Sequence, residues 1–587
     1  MQKAGCPDGI VLQPAFIYHS AGKSPAFDHY IKTSIMKRHF LIISLMLAVA
    51  CTVGAKPRTA AQLRQEAAKA LSTTSMAKGM RSNAPATLKV LDRKSQLTVL
   101  GYAGGGYAVI ANDDTFSPVL GYSDASLTDS HSPAFLWWME SVNSSLEKKL
   151  DEGRQPAKVR RASEYKSHVD ELLVTRWNQS APFNNMCPTY TVNGSRKNYV
   201  TGCVATSMAQ MMYYHKYPLK GNGHNSYTYT SEEGYGTVRP AANFETNYDY
   251  DNMLPVYTPG NYTQEQANAV AKLMLHCGVA VEMHYTTTGS GAYSADACLA
   301  LRKYFKYDES IKLYTREFYP AEEWMNMIFR ELSDGCPVIY GGQSAQGGHS
   351  FILDGYDENG LVHVNWGWGG TDNGFFDIAD LDGYTRGQDM VTVRTPDDTT
   401  YNGTYHSLWG LGSNLVITKS MNTLNVKCDC IYNVDVDNFT GRLAVMACNV
   451  NTGAVTSLLI LADESDLTDV PYLRGLSISN APAQVSYLPN GTYRVYLATK
   501  SVDETDWQPV RSKETVNNSY ILVKNGGTVT LRAENDSNWT TAIGNLPTVD
   551  KKEDNRIFSL DGRYLGTDAD KLGRGIYIRN GVKFIKN

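Results

Sequence analysis

Apolar positions along this chain change period several times, and each change marks an element. Between residues 56 and 85, Ala60, Leu63, Ala67 and Leu71 fall at helical spacing in an Ala-, Gln-, Arg- and Glu-rich stretch, which predicts a helix. Leu97-Thr98-Val99-Leu100 and Tyr107-Ala108-Val109-Ile110 flank Ala103-Gly104-Gly105-Gly106, the pattern of a hairpin within residues 88–124. Ala134–Leu150 returns to helical spacing, with Pro133 suited to the first turn. Further helices are predicted from about Cys203 to His215, stopping before Pro218, and over Thr263–His276. Phe351-Ile352-Leu353 and Leu361-Val362-His363-Val364-Asn365-Trp366, joined by Tyr356-Asp357-Glu358-Asn359-Gly360, predict a second hairpin. Beyond Leu415, short alternating strands with Asn-Gly, Asp-Glu and Asn-Asn turns recur to about Arg532, as in a β-sandwich. A tail from Ile557 to Lys583 holds small hairpins, too few to keep a core of their own.

At 587 residues the chain exceeds one ordinary domain. Polar stretches at Asp151–Lys166, with Lys158, Arg160, Arg161 and Lys166, and at Ala533–Lys552 read as linkers. Near the start, Lys37-Arg38-His39 precedes the apolar run Phe40–Cys51 and the small residues Val53-Gly54-Ala55. That order is a secretory signal, and the run is too short to span a bilayer comfortably. Met36 stands directly before the basic pair, so residues 1–35 read as a mispredicted extension. Net charge is only -4, with no long basic block, which argues against a nucleic-acid partner. The ten cysteines include no CxxC pair, so a structural zinc site is not indicated. Neither a metal nor an organic cofactor is implied.

The chemistry concentrates between Val174 and Pro396. Thr201-Gly202-Cys203-Val204-Ala205-Thr206-Ser207 puts a cysteine at a predicted helix start, where unpaired amides and the helix dipole favour a thiolate and an oxyanion beside it. The bland alternative is an inert core cysteine. His215 is twelve residues further along the same helix, roughly 18 Å away, and cannot serve Cys203. His349, after Gly347-Gly348, begins the first strand of the second hairpin, whose folding brings it towards Asn365 at the open end. Same-face placement of the two requires an even register sum. His363 alternates with Val362 and Val364 and reads as a core histidine or one facing the strand's other side. The roles follow: Cys203 attacks a carbonyl, His349 takes and returns its proton, and the Asn365 side-chain oxygen orients the imidazole. Trp366 or Trp368 shields that hydrogen bond, and Gln179 offers an amide to the oxyanion.

Assembled, these residues resemble the streptopain family of papain-like cysteine peptidases over most of residues 60–395. The resemblance rests on Trp177-Asn178-Gln179-Ser180-Ala181-Pro182-Phe183-Asn184, Cys187-Pro188, Thr201–Thr206, Tyr214–Pro218, Gly348-His349-Ser350-Phe351 and Asn365-Trp366-Gly367-Trp368-Gly369-Gly370. It implies an α+β, papain-like peptidase fold and a secreted endopeptidase made as a zymogen. The implied catalytic set is Cys203, His349, Asn365, Gln179 and Trp366, with substrate-backbone contacts at Ser290, Gly291 and Gly348. Gly105–Asp114 and Pro118–Asp124 resemble the family's propeptide, which implies an intramolecular inhibitor cut between Arg154 and Val174. The tail, with Gly575-Ile576-Tyr577-Ile578 and Asn580-Gly581-Val582-Lys583, resembles C-terminal segments of secreted Bacteroidetes proteins, implying export or surface attachment.

The expected plan is therefore a signal peptide at 36–55, propeptide at 56–165, peptidase at 166–400, Ig-like β-sandwich at 414–535 and sorting-type tail at 550–587. The expected partners are protein and peptide substrates and the chain's own propeptide. Competing readings are a catalytically inactive surface adhesin that binds through the sandwich, and another papain-fold amidase or transferase. Intact catalytic positions argue against the first, and the zymogen-like front end against the second.

Overall fold

The computed structural model describes residues 56–72, 88–102, 105–127, 131–153, 159–344, 347–379, 386–398 and 407–534, and four tail strands between 557 and 586. The expected signal peptide and residues 1–35 lie outside the described residues. One compact unit takes in the described residues from 56 to 316 and from 321 to 398; the other takes in 317–320 and the described residues from 407 onwards.

In the first unit a ten-stranded sheet is the frame. Its strands are β1 (Lys89–Arg93), β2 (Leu97–Gly101), β3 (Tyr107–Ala111), β4 (Val119–Ser123), β5 (Lys312–Thr315), β6 (Val338–Ser344), β7 (Gly347–Tyr356), β8 (Val362–Asn365), β9 (Gly374–Phe376) and β10 (Arg386–Thr392). Their order across the sheet is β1-β2-β3-β4-β9-β8-β7-β6-β10-β5. The four N-terminal strands thus continue the sheet that carries His349, through the pairs Phe375↔Tyr122 and Phe376↔Gly121. The expected boundary at 165/166 falls inside this one unit.

The helices form where their ends are capped. In α1 (Ala60–Leu71), Thr59 and Gln62 make a capping box, and Leu63, Ala67 and Leu71 pack on Leu100, Ala108 and Ile110. Helix α2 (Pro133–Asp151) starts on Pro133 at its first turn. Helix α3 (Cys203–His215) starts at Gly202 and stops at Lys216, whose left-handed conformation turns the chain out before Pro218. Thr263 and Gln266 cap α4 (Gln264–Ala280). The sequence pattern did not yield α5 (Ser294–Phe305) or α6 (Ala321–Ser333), although they are as long as α1 and α3.

Helix α2 is fastened to the sheet by aromatic packing. Trp138 is fully buried, lies 4.7 Å from the Phe376 ring, and donates its indole N–H to the Asp377 carbonyl at 2.8 Å. At the helix start, the Ser132 N–H reaches the Asp372 carboxylate at 2.7 Å, with His131 beside it. The stretch expected to be an exposed linker is held down where it is described. Ala162 donates to Asn326 at 2.9 Å, Lys166 accepts from the Tyr356 hydroxyl at 2.8 Å, and the Arg161 guanidinium lies 5.4 Å from the Tyr356 ring centre. Basic side chains do not by themselves make a free linker when their backbone finds partners. Residues 154–158, including Arg154, lie outside the described residues.

In the second unit, a five-stranded and a six-stranded sheet contribute to one core, in which Trp409, Leu424, Val426, Leu443, Val445, Val495 and Leu522 are buried. The four tail strands make a separate antiparallel sheet.

Trp138→Ala should destabilise the full-length chain by about 3–5 kcal/mol, the usual cost of deleting a buried large aromatic. The check is a lowered urea midpoint; an unchanged midpoint would mean that α2 is not part of the cooperative unit.

Candidate active site

The site is organised by side-chain alternation along β7. Adjacent residues of a strand point to opposite faces, and directly paired residues share a face. Gly341 pairs with Ser350 and Gly342 with His349. The Ser350 hydroxyl meets Ser207 of α3 at 3.2 Å, so that face looks onto the cysteine helix. On the other face, Trp137 of α2 lies against His349, with ring centres 6.3 Å apart and planes at 69°. A Cβ added to Gly342 would stand 2.6 Å from Trp137, so the indole occupies the space that this bare glycine leaves.

Cys203 opens α3 and is half-buried. Gly202 before it has φ 87°, and a Cβ there would come within 2.8 Å of the Met283 thioether and the Ser290 carbonyl. The approach loop is tied down on several sides. Thr201 donates to the Gln179 carbonyl at 3.1 Å, and the Ser290 hydroxyl bridges to the Val200 carbonyl at 2.7 Å. Burial pushes the Cys203 thiol above its ordinary 9.0, while N–H groups of Ser350, Val204 and Cys203 itself pull the other way. The expectation of a thiolate favoured by the helix start is not met in this state, because desolvation outweighs those amides.

Burial also lowers His349, to about 4. Among the described residues its ring has no hydrogen bond; its neighbour is Trp137. Asn365 is fully buried on the other face, paired with Ile352. Its amide donates to the Thr175 carbonyl at 2.9 Å, and its oxygen accepts from the Gly367 N–H at 3.1 Å and lies 3.5 Å from the Gln210 amide. The even register sum expected for a His349–Asn365 contact is therefore not present. Pairing at the open end runs Ile352↔Asn365 and Leu353↔Val364, and only beyond a bulge does it change to Gly355↔His363. In this state Asn365 shares a face with Cys203, and His349 does not.

Trp366 is buried, donates its indole N–H to the Asp372 carbonyl at 2.8 Å, and packs 4.8 Å from Phe351 and 6.3 Å from Phe135 of α2. It therefore stands on the His349 face, with Trp368 only half-buried nearby in sequence. The Gln179 backbone holds the loop before Cys203, with its own N–H taken by Asn178 at 2.6 Å, and its side chain is half-buried. Gly291 has its N–H and carbonyl paired with His284, and Ser290 is buried with its hydroxyl on the Val200 carbonyl. Gly348 is exposed opposite Gln343.

His363 is a buried partner of Asp354, with Glu171 at 3.3 Å, and its pKa is raised by those carboxylates against burial. The sequence reading missed Gln210, which joins the Thr175 hydroxyl at 2.7 Å to Asn365. Its only signal was a polar residue inside the apolar run of α3. Among the described residues, no group of three or more His, Cys, Asp or Glu side chains could hold a metal ion.

Residues 177–376 match the profile of the peptidase C10 family. Streptopain of Streptococcus pyogenes is 33% identical over 299 residues, covering 49% of this chain and 75% of that protein. The thiol protease/hemagglutinin PrtT of Porphyromonas gingivalis is 30% identical over 368 residues, 58% of this chain and 41% of that protein. A solved fragment of Prevotella intermedia prointerpain A is 40% identical, covers 52% of this chain and 98% of its own, and superposes with a TM-score of 0.48.

In the full-length chain His349 should remain neutral on acidification until about pH 4, well below its ordinary 6.5. Between those values the unfolded chain binds a proton that the folded chain does not, so this group makes stability fall as pH drops through that window. Imidazole NMR titration checks it; a midpoint near 6.5 would mean that His349 is not enclosed. Gly202→Ala should reduce soluble, folded protein, because the added methyl meets Met283 and Ser290 at a strained φ.

Proposed function

Because the chain belongs to the peptidase C10, or streptopain, family and is a cysteine endopeptidase, we propose that it is made as a zymogen and exported, and that Cys203 and His349 react once the N-terminal segment is removed. The observation that carries this reading is Trp137 of α2 against the His349 ring, on the face of β7 away from Cys203. In that arrangement thiol and imidazole are both neutral and cannot exchange a proton. Loss of α2 frees the ring to turn round the start of β7, where Gly347 (φ 138°) and Gly348 supply backbone freedom.

On the Cys203 side, the imidazole accepts the thiol proton, and the thiolate attacks the scissile carbonyl. The oxyanion forms beside the Cys203 N–H at the start of α3, with the Gln179 side-chain amide as second donor. His349 then protonates the departing amine, and an acyl-enzyme remains. Water, deprotonated by His349, attacks that thioester and restores the thiol. Asn365, already on the Cys203 face, orients the imidazole by accepting its second N–H, in place of the long contact to Gln210. Trp366, next to Asn365 in sequence, is proposed to shield this pair from water. Export through residues 36–55 and surface attachment through the tail complete the proposal; among the described residues no helix is long and apolar enough to cross a membrane.

Purified Cys203→Ala and His349→Ala should each stay full-length under conditions in which the wild-type chain matures, read by gel and intact mass. Self-processing of either variant would contradict the assignment. Asn365→Ala, which removes an orienting group, should lower turnover less than either. An equal loss in a folded variant would show that the orienting role is misjudged.

A further inference from the structure

We propose that Asp389 forms the base of a substrate side-chain subsite beside Cys203 and selects a lysine or arginine near the scissile bond. The proposal rests on Cys203 being the nucleophile and adds which side chain its cleft receives.

Strand pairing places the carboxylate. Asp389 of β10 pairs with Gly341 of β6, and Gly341 pairs with Ser350 of β7. All three therefore face the side on which Ser350 meets Ser207 and its N–H points to the Cys203 sulfur. Two strand spacings put Asp389 roughly 10 Å across the sheet from Ser350. That is within reach of a long side chain on a peptide lying over Cys203. The opposite wall is Ser294, in the first turn of α5; the chain just before that helix runs through Ser290, whose carbonyl lies against Gly202.

The carboxyl is incomplete. Gly341 has no side chain to fill the gap, and a Cβ there would stand 2.5 Å from Asp389 Oδ1 and 2.9 Å from the Ser294 hydroxyl. Ser294 hydrogen-bonds the carboxyl, yet Oδ1 is shut off from solvent with no hydrogen-bond partner. Burial raises the group to about 7, with no cation among the causes. A carboxyl serving only to cap α5 would have both oxygens engaged; this one has an acceptor left over on the side of the nucleophile. An unpaired buried acceptor is costly, and a basic substrate side chain supplies both the missing donor and the missing charge.

The test uses matured enzyme and internally quenched peptides that differ at one position on the acyl side of the cleaved bond: arginine, lysine, acetyl-lysine or leucine. At one such position wild type should favour arginine and lysine over leucine and acetyl-lysine by roughly tenfold or more in kcat/KM. Asp389→Asn, which keeps shape and removes charge, should collapse that ratio. Absence of a basic preference in wild type overturns the proposal without any variant, as does an unchanged ratio in Asp389→Asn. If Cys203→Ala still cleaves, the nucleophile assignment fails and the subsite fails with it. Abolished cleavage in Cys203→Ala combined with no basic preference in wild type fails the subsite alone.

Discussion

The alternation of side chains along β7 is the constraint on which the rest depends. His349 and Ser350 are neighbours in sequence and must face opposite ways. Ser350 is fixed to the cysteine helix through Ser207, so His349 is turned towards α2 for as long as the strand pairing with Gly342 holds. In the proposed zymogen, whether the site can react is therefore decided by the first residues of one strand. The local price is small, because the residues before His349 are glycines and the partner across β6 is a bare glycine.

Around that strand the N-terminal segment is built in rather than laid on. Its four strands extend the sheet edge at β9, and α2 buries Phe135, Trp137 and Trp138 against Trp366, His349, Phe351 and Phe376. Burial of large aromatic side chains is the dominant kind of stabilisation available to such a contact. The same packing that stabilises the full-length chain dehydrates the imidazole. In the proposed zymogen, stability and silence of the site thus come from one set of contacts.

Much of this was legible in the residues. The start of α3 at Gly202-Cys203 and its stop before Pro218 follow from cap chemistry, and Pro133 marks the start of α2. The Cys, His and Asn stood out because glycines and tryptophans frame them. What was not legible is long-range. The odd register at Ile352↔Asn365 depends on a bulge near Gly355, where a Cβ would strike the Val169 carbonyl, a residue far off in sequence. Gln210 looks like an ordinary polar residue in an apolar run, and Asp389 like one more polar residue after Arg386-Gly387-Gln388; only strand and helix neighbours reveal what they face. The held-down residues 159–166 read as part of a free linker because partners such as Asn326 and Tyr356 cannot be inferred from their charge.

Labelling shows whether Cys203 is one reactive thiol silenced by the N-terminal segment. Protein expressed from Met36 would be treated with an epoxide-type thiol inhibitor before and after loss of the N-terminal segment, and the adduct located by peptide mass spectrometry. An adduct on Cys203 is expected after that loss and little or none before it. Equal labelling of Cys203 in both forms would contradict the silencing, and a folded, processed chain with no label on Cys203 would contradict the nucleophile itself.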